Sequence, residues 1–174
     1  MIIKELRDED FVNYKKPSMF IAFPTCSFKC CKEGNLPIEI CQNCSLAQAQ
    51  DITISPEQLA DRFVSNPITS AIVIGGMEPF DNARDLVNLI HCLRQKTNDD
   101  IVIYTGYTEE EIKNMRYTIN YSFGKQNDSY FGEIVKYPNI IIKYGRFRPN
   151  DESHYDAVLG VKLVSSNQYA VRIS

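Results

Sequence analysis

Short apolar runs alternate with amphipathic stretches along this chain of 174 residues. The runs are Met19–Phe23, Ala71–Ile74, Ile101–Tyr104 and Ile140–Lys143. Short runs of this kind, the first ending at Pro24 and the second stopped by Gly75-Gly76, read as strands buried on both faces. Val161–Val164 reads as a short fifth strand. Helices are expected between them. Ser55-Pro56-Glu57-Gln58 opens one, with Ser at the N-cap, Pro at the first turn and Gln three residues on to close a capping box. Leu59, Phe63 and Val64 form its apolar stripe. Asp81 or Asn82 caps a second helix running to about Gln95, with Leu86, Val87, Ile90 and Leu93 on one face. Thr108 with Glu111 makes another capping box, and Glu109 and Glu110 suit the positive end of that helix. Residues from about Tyr117 to Tyr137 follow neither period and receive no element.

Strands alternating with amphipathic helices predict an α/β fold with a parallel sheet covered by helices. A partial barrel and an open doubly wound sheet both fit that rhythm. The length suits one domain, and a hydrophobic content of 44% with ten Tyr and nine Phe can fill a core. A net charge of −3 without a long basic run leaves no nucleic-acid footprint. No run of about 18 apolar residues spans a membrane. The opening MIIKELRDEDF lacks the pattern of a signal peptide, so a cytoplasmic location is expected, where lasting disulfides are rare.

That expectation bears on the cysteines. Five of the six, Cys26, Cys30, Cys31, Cys41 and Cys44, fall within nineteen positions directly after the first strand. Such a density of thiols reads as a metal site. Cys26/Cys30 and Cys41/Cys44 form two close pairs, as structural zinc requires, and an iron–sulfur cluster fits the spacing equally well. Cys92, in mid-helix, reads as a small packed hydrophobe. The second strand ends in Gly75-Gly76, where a ligand can come close to the backbone. In parallel α/β folds that edge is where ligands bind. Glu78 follows as a hydrogen-bond acceptor. An ordinary turn with a surface Glu would look the same in isolation.

A cysteine motif after the first strand and a GG-E-P element after the second resemble the radical S-adenosylmethionine superfamily. The stretch IVIYTGYTEEEI (Ile101–Ile112) resembles the third-strand region of the activating proteins of anaerobic ribonucleotide reductase. Gly145–Phe147 and the later SSNQ (Ser165–Gln168) resemble the C-terminal part of the same small proteins. The resemblance runs from about Met19 to the end. It implies one domain over residues 1–174, a partial (β/α) barrel with a curved, mainly parallel sheet, and a cysteine-rich cluster loop at about 24–45.

The resemblance also implies a ligand set. Cys26-x3-Cys30 matches the first half of the superfamily's C-x3-C-x2-C motif, and Cys41-Gln42-Asn43 resembles its close. Cys26, Cys30 and Cys41 are then the cluster ligands, with Lys32–Ile40 looping out as an insertion. Cys44 is the alternative third ligand, and Cys31 with Cys41 and Cys44 makes another possible set. Three ligands leave one iron of a [4Fe–4S] cluster open, whereas four close it. In the family that iron binds S-adenosylmethionine, whose reductive cleavage yields a 5′-deoxyadenosyl radical. The cofactor carries this chemistry, so no side-chain acid or base is needed.

By the same resemblance Gly75, Gly76 and Glu78 receive the methionine end of S-adenosylmethionine, although Met77 separates the glycines from Glu78. Ile40 stands where the family often has an aromatic residue against the adenine, and Gln42 adds a polar contact. The implied partners are a glycyl-radical enzyme of the anaerobic ribonucleotide reductase type and a flavodoxin- or ferredoxin-like electron donor. A radical enzyme acting on a small molecule and a non-catalytic iron–sulfur or zinc module are the alternatives. Tyr104 and Thr105 end the third strand on the ligand edge. Arg146 and Arg148 read as partner-facing or solvated, Glu109–Glu111 as a solvated first turn, and His91 as a packed or solvent-facing side chain.

Overall fold

The apolar runs form a single sheet, and the charged segments beside them extend it. The computed structural model describes residues 1–121 and 124–174. In chain order the elements are β1 (Ile2–Ile3), β2 (Glu5–Asp10), β3 (Ser18–Phe23), α1 (Lys29–Glu33), α2 (Cys44–Gln48), β4 (Ile52–Thr53) and α3 (Pro56–Ser65). There follow β5 (Ala71–Gly76), α4 (Ala83–Arg94), β6 (Asp100–Tyr104), α5 (Glu109–Asn114), β7 (Arg116–Tyr121) and β8 (Gly124–Ser129). The chain ends with α6 (Tyr130–Ile134), β9 (Ile140–Tyr144), β10 (His154–Asp156), β11 (Val161–Leu163) and β12 (Tyr169–Arg172). Short 3₁₀ turns cover Ile38–Ile40 and Pro79–Asn82.

The main sheet has the order β12-β9-β6-β5-β3-β2. Its four central strands are parallel, and both edge strands are antiparallel to their neighbours. The expected mainly parallel α/β sheet is therefore present. Its pairing order is linear, and closure into a barrel is not part of the described structure. Val161–Leu163 is a strand, but it belongs to a separate antiparallel pair with β10. The stretch from Tyr117 to Tyr137 contains most of the β7–β8 hairpin and α6, while its residues 122 and 123 lie outside the described residues.

Period-two alternation splits the core in two. Met19, Ile21, Phe23, Ile72, Ile74, Ile101, Ile103, Ile140 and Ile142 face α3 and α4, which answer with Leu59, Phe63, Leu86, Leu89, Ile90 and Leu93. Burying each such side chain stabilises the fold by roughly 1.5–3 kcal/mol. The capping boxes at Ser55 and Thr108 are both made. Ala60, not Val64, completes the stripe of α3, and Val64 is 48% exposed. Leu89 joins Leu86, Ile90 and Leu93 on the buried face of α4, with Val87 partly buried beside them.

The opposite face carries Phe20, Ala22, Val73, Val102 and Ile141, and Leu46 of the short helix α2 packs against it. Tyr14, Leu159 and Leu163 pack there as well. The Tyr14 hydroxyl donates to Asp100 Oδ2 at 2.9 Å, which pins this cover near the N-terminal end of β6. The C-terminal ends of the parallel strands are left to line a cavity. No helix among the described residues is long and apolar enough to cross a membrane.

Candidate metal centre

Strand register determines what faces the cavity. Ala22 pairs with Gly75, and Tyr104 with Lys143, across neighbouring parallel strands. A side chain at Gly75 would press on Tyr104, since its Cβ would lie 3.2 Å from the Tyr104 Cβ. Gly76 has φ +75°, and a Cβ there would sit 2.5 Å from that of Ala22. These two glycines keep the cavity open and turn the chain away. The cavity measures about 310 Å³.

Cys26, Cys30 and Cys41 line it together, and Cys31 and Cys44 do not. The helix periodicity of α1 explains the first division, because adjacent residues point about 100° apart. Cys30 turns to the cavity, while Cys31 is 4% exposed and outside its lining, with its thiol still within reach of that of Cys30. Cys41 follows the 3₁₀ turn, and Cys44 begins α2 with its thiol toward the Glu39 carbonyl at 3.8 Å. Gln42 also lines the cavity. Ile40 is not in its wall and is 42% exposed, so the residue expected against the adenine faces water in this arrangement.

Burial pushes the Cys26 thiol up to about 12, the Cys31 thiol up to about 11, and that of Cys41 upward as well. No cationic side chain offsets this, and neighbouring thiols add to it. Such thiols ionise when a metal supplies the charge. A donor set of three soft, partly buried sulfurs lining one cavity fits an iron–sulfur cluster. Among the described residues, no three His, Cys, Asp or Glu side chains converge on one point as the ligands of a single ion do. Cluster ligands bind separate irons and stand farther apart.

The turn after β5 is braced by Glu78. Its Oε1 accepts from Phe80 N at 3.1 Å and Thr105 Oγ1 at 2.7 Å, and its Oε2 from Gly106 N at 2.8 Å. Burial raises its carboxyl to about 7 against those three donors. The acceptor expected from the sequence thus ties the end of β5 to the loop after β6, and Thr105 serves it. Tyr104 forms cavity wall and donates to Asn13 O at 2.5 Å.

Polar ties hold the cysteine loop to this frame. Asn43 Nδ2 donates to Gly76 O at 2.7 Å, and Glu78 N donates to Thr25 O at 2.9 Å. Asp81 and Asn82, expected as helix caps, are drawn here instead. Asp81 accepts from Ser27 N at 2.5 Å and from the Tyr107 hydroxyl at 2.6 Å, while Asn82 pairs with Thr25 Oγ1 at 2.8 Å. On the far side Arg146 joins three segments. Its guanidinium bonds both oxygens of Glu111, at 2.7 and 2.8 Å, and reaches Glu33 of α1 at 2.5 Å. It also donates to Gly106 O at 3.1 Å. Lys29 pairs with Glu111 as well. Arg146 and Lys29 hold the Glu111 carboxyl far below its usual range, with Arg146 the larger influence.

Arg146 and Glu111 are therefore internal partners and not surface charges. His91 is exposed and bonded to Tyr137 and Gln95. Cys92 is partly buried against the core and donates to Glu57 at 3.5 Å. Two cavity residues escaped the sequence reading of roles. Gln168, in the SSNQ stretch, is 4% exposed with its Oε1 unpaired. Lys143 was read only as the end of a strand. Alternation would have found it, since it shares a face with Ile141.

Residues 19–169 match the family model described as a 4Fe-4S single cluster domain. That span takes in the cysteine loop, the four parallel strands but for Ser18, and all of the cavity lining except Val12 and Asn13. No curated protein matches the chain.

Proposed function

Because the chain belongs to the 4Fe-4S single cluster domain family, we propose that it is a radical S-adenosylmethionine protein of the glycyl-radical activating type. Cys26, Cys30 and Cys41 would hold the cluster, which would supply the one-electron chemistry that cleaves S-adenosylmethionine. One observation carries this reading: these three cysteines share a cavity with Gly75, Gly76 and Glu78 at the C-terminal edge of a parallel sheet. The bare glycines leave room for the amino-acid end of the cofactor. Glu78 keeps their turn rigid through Thr105 and Gly106. Phe20 and Tyr104 give the cavity an apolar wall that excludes water from a reactive radical. Val12 and Val164, exposed at its border, suit a protein substrate. The expected partners are a glycyl-radical enzyme of the anaerobic ribonucleotide reductase type and a flavodoxin- or ferredoxin-like donor.

Anaerobic reconstitution with iron and sulfide, followed by assay of 5′-deoxyadenosine, tests this. Cys26→Ala, Cys30→Ala and Cys41→Ala should each abolish product, and Cys31→Ala and Cys44→Ala should retain it. A preparation that stays colourless sinks the proposal. Stimulation by a metabolite, and not by a glycyl-radical enzyme, moves the substrate to a small molecule. One zinc per chain with no iron, dependent on Cys44, makes the protein a structural module.

A further inference from the structure

The cavity holds a buried cation that the proposed reaction does not use. Lys143 is 6% exposed and stands in register with Tyr104 at the end of β9. Its ammonium donates to Gly145 O at 3.1 Å and lies 6.0 Å from the centre of the Tyr104 ring. The Gly145 carbonyl is its one hydrogen-bond acceptor among the described residues. Burying an ammonium this poorly paired is costly unless something negative shares the site. Burial lowers the ammonium to about 8, so it carries its charge below that pH, and Glu78 and Cys30, which line the same cavity, are the ionisable groups that favour the charge. Glu78 is already saturated by three donors of its own loops. That leaves the cysteine side of the cavity as the place where this charge acts.

We propose that Lys143 is a positioning residue for charge, which raises the reduction potential of the cluster held by Cys26, Cys30 and Cys41. The inference rests on the cluster reading above. Three thiolates around an oxidised [4Fe–4S]²⁺ core give a net charge of −1, and one added electron makes it −2. A fixed positive charge in a water-poor cavity stabilises the more negative state. The electron comes from a one-electron donor of the flavin or iron–sulfur class, or from dithionite in the test. No protein bond forms or breaks, and Lys143 keeps its proton. Glu78 exerts the opposite influence on the same cluster.

The test is a dithionite titration of reconstituted protein without S-adenosylmethionine, followed by electron paramagnetic resonance of the reduced cluster. Lys143→Met should lower the reduced-to-oxidised ratio at least tenfold at a fixed potential, which is a downward shift of about 59 mV for one electron. Lys143→Arg should bring the ratio back to within about threefold of wild type, by keeping the charge. Glu78→Gln should shift it the opposite way, which keeps the inference open to refutation if Lys143→Met does not load. An unchanged midpoint in a loaded Lys143→Met protein overturns it. So does weaker binding of S-adenosylmethionine with an unchanged midpoint, which would make Lys143 a ligand contact only. A wild type that takes up no iron overturns the cluster reading itself.

Discussion

In the central sheet Ile72, Ile74, Ile101 and Ile103 lose all contact with water, whereas the loop from Thr25 to Ala49 buries one side chain, that of Cys31. The sheet is held by apolar area, which acts without direction and adds up over many residues. The loop is held by a few directed bonds to Gly76, Glu78, Asp81 and Arg146. The difference teaches that the fold and the site have separate sources of order. The loop takes its anchors from the sheet, and a metal would supply the charge its thiols need to ionise. A loop that must admit iron and sulfide benefits from anchors that can open locally.

Truncating the sheet core has the largest expected effect. Ile72→Ala leaves a cavity between β5 and α4 and should cost about 2–5 kcal/mol of global stability. Urea denaturation of the apoprotein measures it. A loss below about 1 kcal/mol would mean that the core is not the source of order claimed for it. Gly76→Ala attacks the point where the two regions meet. The positive φ alone costs about 1–3 kcal/mol for a residue with a Cβ, and contact with Ala22 adds to that. Because Asn43 is anchored on the Gly76 carbonyl, iron retention should also fall in this variant, which Ile72→Ala would not do at temperatures where it stays folded.

Arg146→Met sharpens the comparison from the loop side. Global stability should drop by about 1.5 kcal/mol, the lower end of the scale for a partly exposed hydrogen-bonded charge. The larger response should be local. Hydrogen exchange of the amides of Lys29–Glu33 should speed up about tenfold while those of Ile72–Ile74 stay protected, as expected for local opening. High salt should imitate the variant in wild type, because exposed parts of the network are screened. Equal protection in wild type and variant would show that the charged clasp does not hold α1.

What could be read from the residues divides along the same line. The four parallel strands and both capping boxes are local patterns, and they appear within a residue or two of where periodicity puts them. β2, written ELRDED, carries no apolar signal because it is an edge strand whose order comes from backbone pairing with β3. The polar β7–β8 hairpin was unreadable for the same reason. In the site, the family resemblance singles out Cys26, Cys30 and Cys41, and these three line the cavity together. Asp81 and Asn82 were not legible, because a helix cap and an anchor for a distant loop use the same residue types. Their partners Ser27 and Thr25 lie more than fifty positions away. Arg146 and Glu111 share that difficulty, whereas the inward aim of Lys143 follows from alternation alone.

The smallest expected effect is a pH slope that belongs to the seam between the two regions. Burial raises Glu78 to about 7 from its usual 4.5. Below about pH 4.5 both the folded and unfolded chains hold its proton, and the fold bears no penalty. Between 4.5 and about 7 the unfolded chain releases the proton first, so stability falls as pH rises through that window. Above it the carboxylate is ionised in both states and the penalty is complete. Glu78→Gln does not titrate, so its apoprotein should lack this part of the slope. The difference between variant and wild type, measured by urea denaturation at pH 5 and pH 6, should change by about 1 kcal/mol in favour of the variant at the higher pH. The three donors around Glu78 oppose this effect, since they favour the ionised form. If they outweigh burial the change takes the other sign, and Glu78 is then an ionised brace of the β5 turn at every pH where the protein folds.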